Sequence, residues 1–248
     1  MSSPQPFVVP AGVTFQITDQ GVVIENEGDI VLHTNFGRSL TRIVSTAGSV
    51  HIHAPVQGGD IRAAGDVALH GDVDAAVVEA GGGVTVAGGA RIASLTAGGG
   101  VSVAGPLHGD KLSAGGSVAV QGGLEVGSAA VGGDLTAETL SSGNVDVGGT
   151  GRFTGTVKVD RLRGAVLRLE GPSITARGVQ ATSAAHFGAS KLQVDAILAP
   201  EVHLDPRTSG RATVVESQND LGPNALKGGF RLADRSEEHT SELQSQFR

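Results

Sequence analysis

Apolar positions recur along the middle of the chain in repeated steps of six, five and six residues. The stretch "AGGGVTVAG" at residues 80–88 returns 17 residues later as "AGGGVSVAG". The same steps, followed in both directions from Val84, meet an apolar residue at every position between residues 44 and 135. The aliphatic members of this ladder are Val44, Val50, Val56, Ile61, Val67, Val73, Val78, Val84, Leu95, Val101, Leu107, Leu112, Val118, Leu124 and Leu135, and alanines hold the remaining steps.

These steps predict strands. An amphipathic helix would place apolar residues at i, i+3, i+4 and i+7, whereas "VTV", "VSV" and "VAV" alternate as strands do. Three short strands every 17 residues, separated by glycine-rich corners, predict an all-β, triangular, three-faced β-solenoid with coils of about 17 residues. Glycine is expected at the corners because the chain turns sharply there, often with positive φ, and because stacked corners bring backbones close together.

The ladder also predicts the domain organisation. The solenoid is expected over residues 28–205, most regular over 44–135. The segment "GDIVLHT" at Ile30 copies the motif with extra residues before Val50, which indicates an early coil with a bulged corner. Strand-like segments continue past Leu135 without the strict register and indicate less regular coils. Residues 1–27 are expected to form an N-terminal flank or cap, and residues 206–234 an irregular C-terminal flank.

The last residues differ from everything before them. "RSEEHTSELQS" at residues 235–245 matches the in-frame translation of a sequencing adapter that begins AGA TCG GAA GAG CAC. We interpret residues 235–248 as a sequencing-adapter artefact and leave them out of the fold prediction. The alternative interpretation is an ordinary disordered tail.

Composition and charge exclude several classes of function. The chain has no cysteine, so neither a disulfide framework nor a thiolate metal site is possible. A formal net charge of −7, without a cluster of Lys and Arg, argues against a nucleic-acid partner. The first residues lack a signal peptide, and no apolar run is long enough to cross a bilayer, so a cytoplasmic location is expected. The segment "PFVVPAGVTF" is either a capping strand or a short segment that touches the membrane.

Residues 17 apart are expected to lie above one another on the surface. Arg62 then stacks with Glu79, and Asp74 with Arg91, as exposed ion pairs that help to fix the register between coils. The acids are scattered one to a corner, aromatic residues are sparse, and no "GGxGxD" turn recurs. We therefore expect no catalytic site, no cofactor, no metal and no small-molecule substrate.

Two histidine features are weighed in the same way. His53 and His70 are also 17 apart and are interpreted as a solvated pair, because Ala87 occupies the next position and cannot complete a metal site. His108 lies on a corner and invites comparison with hexapeptide acyltransferases, but the steps and the glycine positions differ from their repeat.

The ends of such a stack predict self-assembly. A single coil buries too few aliphatic side chains to offset the entropy of ordering its backbone, so each coil depends on its neighbours. An uncovered end coil offers unpaired backbone groups and a bare core, which favour pairing with another chain. Repeated without closure, end-to-end pairing gives a filament.

Three segments resemble one family. "GGDIRAAGDVALHGDV", "VGGDLTAETL" and "VDVGGTGRFTGTV" are similar to bactofilins, the polymer-forming cytoskeletal proteins of bacteria, over residues 28–159. The resemblance implies nucleotide-independent, non-polar filaments of identical chains joined through their end coils. It also implies scaffolding of membrane- or cell-wall-associated proteins at the inner membrane face. The match at "GRFTG" implies that Phe153 is the end-coil residue needed for polymerisation.

Two other resemblances stay open. "AGGSVAVQG" is equally similar to the glycine-rich β-helical domain of the flagellar assembly A type. A secreted β-solenoid adhesin is the third interpretation, and the lack of a signal peptide counts against it.

Overall fold

The computed structural model describes residues 14–18, 21–33 and 40–217, and these contain strands and no helix. Hydrogen bonding joins all the described strands into one continuous sheet. Within this part of the chain there is therefore no helix that could span a membrane. The strands are β1 (Thr14–Thr18), β2 (Gly21–Asn26), β3 (Ile30–Leu32), β4 (Leu40–Ser45), β5 (Val50–Ile52), β6 (Val56–Gln57), β7 (Asp60–Ala63), β8 (Val67–Leu69), β9 (Val73–Ala80), β10 (Val84–Val86), β11 (Ala90–Ala97), β12 (Val101–Val103), β13 (Leu107–Ala114), β14 (Val118–Val131), β15 (Leu135–Val147), β16 (Thr150–Phe153), β17 (Val157–Leu198), β18 (Glu201–Leu204) and β19 (Gly210–Glu216).

The sheet winds into a β-solenoid of about 11 turns with coils of about 17 residues, which confirms the predicted fold class. Three parallel ladders form its faces. The first face contains β2, β4 and β7 and continues through the second half of β9. The second face contains β3, β5, β8, β10 and β12. The third face contains β6 and the first halves of β9 and β11.

The solenoid extends further at both ends than residues 28–205. On the N-terminal side, β2 already pairs in parallel with β4, and Val22 and Ile24 are buried. On the C-terminal side, β19 pairs in parallel with residues 192–198. The expected early coil at Ile30 is confirmed by its pairing with Val50. Residues 1–13 and 218–248, including the adapter-like tail, lie outside the described residues.

The aliphatic ladder forms part of the core, together with second inward residues such as Leu69, Val86 and Val103, and its register changes once. Every ladder member from Val50 to Leu135 is buried, at 4% exposure or less. Val44 is only half-buried, because Ile43 points inward and pairs with Ile61. The inward residue is therefore Ile43, one position before the predicted Val44. Ile43 and its partner Ile61 are 18 residues apart, whereas the ladder assumes 17.

Corner glycines are explained by close packing between coils. One column lies at the corner between the first and second faces. A Cβ on any of its members would lie well inside 3.0 Å of a carbonyl oxygen in the preceding coil. The column consists of Gly81, Gly98, Gly115, Gly132 and Gly148. None of them has positive φ, which the described residues show only at Gly21, Gly58, Gly59, Gly171 and Gly210. The expectation of positive φ was therefore wrong for this column, whereas Gly58 and Gly59, at the corner between β6 and β7, show it.

Candidate functional site

Phe153, the expected end-coil residue, lies deep inside the stack. Its side chain is 0% exposed, and its strand pairs with β15 on one side and β17 on the other. In the register, Phe153 has Ala137 before it and Leu169 after it. Gly151, the preceding inward residue of the same strand, leaves room for both neighbouring side chains, because a Cβ there would lie 2.9 Å from Leu167 Cδ2 and 3.3 Å from a ring carbon of Phe153. Phe153 therefore packs the interior and does not lie at an end.

The N-terminal end carries an exposed apolar side chain. Strand β1 runs antiparallel to β2 and is the outermost described strand of the first face. Ile17 lies directly opposite Val22, which points into the core. Residues directly opposite in an antiparallel pair lie on the same side of the sheet, so Ile17 is on the core side of β1. Ile17 is nevertheless 77% exposed. The core is therefore open beside Ile17 in the described part of the chain.

The second large exposed apolar residue of the described chain lies at the same end. Val31, on β3, is 46% exposed. At the opposite end, β18 and β19 form the last described coil, and both pair with β17.

A stack of three imidazoles lies at the edge between the second and third faces. The ring centroids of His33 and His53 are 4.6 Å apart, and those of His53 and His70 are 4.3 Å apart, with the rings within 12° of parallel. A metal ligand bonds along a lone pair in the plane of its ring. Parallel, stacked rings therefore cannot converge on one ion. The arrangement favours a surface stack, as expected for His53 and His70, and His33 is the member that the sequence did not reveal.

Crowding of the rings affects their protonation. Loss of contact with water, followed by the neighbouring His70, His33 and His51, lowers the pKa of His53 from its usual 6.5. A second stack joins His186 and His203, whose centroids are 4.5 Å apart. The pKa of His186 is lowered as well, first by burial and then by His203 and Arg168, against the opposing effect of Glu201 and Glu170.

One of the two ion pairs predicted from the 17-residue spacing is present. Arg62 forms an ion pair with Glu79 at 3.4 Å. Arg91 lies beside Asp74 in the strand register, but no ion pair joins these two described side chains. His108 Nδ1 lies 3.0 Å from Glu125 Oε2, one coil further along the third face. This places His108 in an exposed inter-coil contact.

The recurrent Gly-Asp motif has a structural explanation that the sequence did not reveal. Asp66 Oδ1 accepts a hydrogen bond from the backbone N–H of Gly83 in the next coil, at 2.7 Å. Asp134 repeats this arrangement with Thr150 at 2.6 Å, and the Ser117 hydroxyl accepts from the N–H of Asp134 at 3.1 Å. These side chains join consecutive corners of the solenoid. They bind backbone amides, and the spacing of 17 residues was the signal that could have identified them.

Within residues 14–18, 21–33 and 40–217, no group of three or more His, Asp or Glu side chains is arranged to hold a metal ion. The candidate functional features of this part of the chain are the open N-terminal end and the exposed columns of the three faces. Comparisons of the chain with protein-family models, curated proteins and solved structures found no match.

Proposed function

We propose that this chain is a non-enzymatic structural protein that assembles end to end, without nucleotide, into filaments or scaffolds. A β-solenoid is consistent with a structural or filament-forming role. The single observation that carries the proposal is Ile17, which lies on the core side of the outermost strand and is 77% exposed. Covering this side chain with the end of another copy would continue the core from one chain to the next.

The geometry of the stack supports the same proposal. Every coil inside the solenoid is held by parallel ladders on both sides, and the core cluster runs continuously from Val22 to Ala212. An added solenoid offers an end coil the same type of contact that an inner coil already has. Because the junction does not close on itself, repeated addition produces a filament.

The resemblance to bactofilins suggests what such a filament does. On that analogy the polymer is cytoplasmic, lies at the inner membrane face and scaffolds membrane- or cell-wall-associated proteins. These finer statements rest on the resemblance of residues 28–159. The end-coil role that it suggested for Phe153 is not part of the proposal, since Phe153 is an interior residue.

Negative-stain electron microscopy of the purified full chain, without nucleotide, tests the proposal. We expect filaments about one solenoid wide, with an axial unit of about 50 Å from 11 coils at about 4.8 Å each. Separate short rods at high protein concentration would refute end-to-end assembly.

A matched pair of variants tests the part played by the N-terminal end. Ile17→Lys places a charge on the core side of β1 and should abolish the filaments. Gln16→Lys adds the same charge on the opposite side of the same strand, where the side chain is also exposed, and should leave them intact. Circular dichroism of both variants checks that each remains folded. Equal filament formation by the two variants would show that the junction lies elsewhere.

A further inference from the structure

One column of exposed side chains on the second face has opposite chemical character in its two halves. Its members each follow an inward residue of that face, such as Leu69, Val120 or Leu204, and so lie one per coil along the solenoid. All but one of them are exposed, and the exception is a half-buried glycine. In order, the column is His33, His53, His70, Ala87, Ala104, Gln121, Glu138, Thr154, Glu170, Gly188 and Asp205.

The histidine stack lies at the N-terminal end of this column, whereas every carboxylate of the column lies in its C-terminal half. Gln121 is the central member, with the same number of positions on each side. A two-fold rotation about an axis that lies level with Gln121, parallel to the second face and perpendicular to the solenoid axis, reverses both the direction in which the face points and the order of the column. The second faces of two antiparallel copies can therefore lie against each other with the column in reverse order.

From this self-complementarity we propose that the second face binds a second copy of this chain, side by side and antiparallel, with Gln121 at the two-fold axis of the pair. In this pairing His33 faces Asp205 of the second copy, and His70 faces Glu170 of the second copy. Each contact occurs twice, as a two-fold interface requires. An imidazole N–H donates a hydrogen bond to a carboxylate at neutral pH and forms an ion pair when it is protonated.

The neighbouring column of the same face fits the same arrangement. Ala68 and Thr85 lie in its N-terminal half, and the exposed residues Arg152 and Arg168 lie in its C-terminal half. The antiparallel pairing places each arginine opposite a small side chain of the second copy, so the long guanidinium groups have room. Arg168 also comes near Asp66 of the second copy, which lies two residues before Ala68.

Two histidines of this neighbouring column face each other across the interface. His51 of one copy lies opposite His186 of the other. The lowered pKa of His186 keeps it neutral at pH 7.5, so the contact carries no repulsion at that pH. Cross-linking of the pair is therefore best measured at pH 7.5.

The available area suits a specific dimer of modest affinity. The face is about 50 Å long, from 11 coils at about 4.8 Å each, and about 10 to 12 Å wide, from three extended residues and their corners. Each copy would cover roughly 500 to 600 Å², so the pair would bury slightly more than the roughly 1,000 Å² expected of a specific interface. We expect a dissociation constant in the micromolar range. This contact is lateral, so it does not depend on end-to-end assembly.

Chemical cross-linking of the full chain tests the pairing directly, since the protein contains no cysteine. Gln121→Cys places one thiol from each copy near the axis, at a distance that a short bismaleimide spans, since facing sheets lie about 10 Å apart. We expect a covalent dimer of unit length. Ala130→Cys, on the exposed surface of the first face, is the matched control and should give little dimer. Equal yields from the two variants would overturn the proposal.

A second control fixes the relative direction of the two chains. In His70→Cys the two thiols would lie six coils apart in the antiparallel pair, at about 29 Å, which is too far for the reagent. In a parallel pair they would be adjacent. Efficient cross-linking of His70→Cys would therefore refute the antiparallel arrangement.

Charge exchange in the Gln121→Cys background tests the proposed contacts. Glu170→Lys places an ammonium group opposite His70, and His70→Glu places a second carboxylate opposite Glu170. Each should lower the dimer yield at pH 7.5 by roughly fivefold or more, because two symmetric contacts are lost. The double variant restores opposite charges and should recover most of the yield. If the single variants have no effect, or the double variant fails to recover, the proposed register is wrong. Electron microscopy of the same samples reports end-to-end assembly separately, so failure of either proposal can be recognised.

Discussion

Replacement of Gly98 by alanine should destabilise the solenoid at one corner. The new Cβ would lie well inside 3.0 Å of the Gly81 carbonyl oxygen, and ordinary contact begins near 3.4 Å, so the corner must move by roughly 1 Å. Such overpacking costs about 1 to 3 kcal/mol. The shift also weakens the hydrogen bond from the Gly98 N–H to the Ala80 oxygen, at 2.9 Å, which contributes about 0.5 to 1.5 kcal/mol. We expect the free energy of unfolding to fall by about 2 to 4 kcal/mol.

Gly89→Ala provides the matched control. A Cβ at Gly89 would lie 3.7 Å from Asp72 Oδ1 and from Pro106 Cδ, which is ordinary contact. This substitution should be neutral or should stabilise by about 0.4 to 1 kcal/mol, because alanine restricts the unfolded chain more than glycine does. The two variants carry the same chemical change and differ only in what the added methyl group meets.

Urea unfolding followed by far-UV circular dichroism measures the difference between the variants. Amide hydrogen exchange should in addition show reduced protection near residues 80–98 in Gly98→Ala, since a solenoid can open locally. Equal unfolding midpoints for Gly98→Ala and Gly89→Ala would refute the steric explanation of the glycine column.

Two further predictions concern the core and the histidine stack. Phe153→Leu should lower the free energy of unfolding by about 1 to 3 kcal/mol, because it leaves space at a fully buried position, while electron microscopy should show unchanged filaments at a temperature where the variant stays folded. Loss of filaments from a folded Phe153→Leu protein would instead support an assembly role. The lowered pKa of His53 means that the unfolded chain binds more protons as the pH falls below 6.5, so stability should decrease from pH 7.5 to pH 5. His53→Gln should reduce this decrease in the thermal midpoint, measured at low protein concentration, because the groups near His53 are the other imidazoles, His33, His51 and His70. An unchanged pH dependence in His53→Gln would contradict the effect of the stack.

The sequence alone determined the fold class and one set of inward positions in the core. The short strands of the second face each have two inward positions, and the six-five-six step follows the first of them, as at Val84 and Val101. The second inward positions, such as Val86 and Val103, lie outside the ladder. The same spacing predicted the contact between Arg62 and Glu79. The first step failed at Val44, since the longer first coil hides the register and only the pairing of Ile43 with Ile61 reveals it.

Only the tertiary structure decided how deep each residue lies and which distant residues share a surface. Phe153 resembled an end residue in sequence, but its depth depends on the coils formed after it, whose spacing is irregular. The close approach at Gly98 depends on how near the preceding coil lies. The opposition of His70 and Glu170 within one column becomes visible only when every coil between them has been placed. Local patterns predict the strands because each strand buries its own side chains. The coil in which a residue lies depends instead on the lengths of all the coils before it, so one altered coil length changes the predicted position of every later residue.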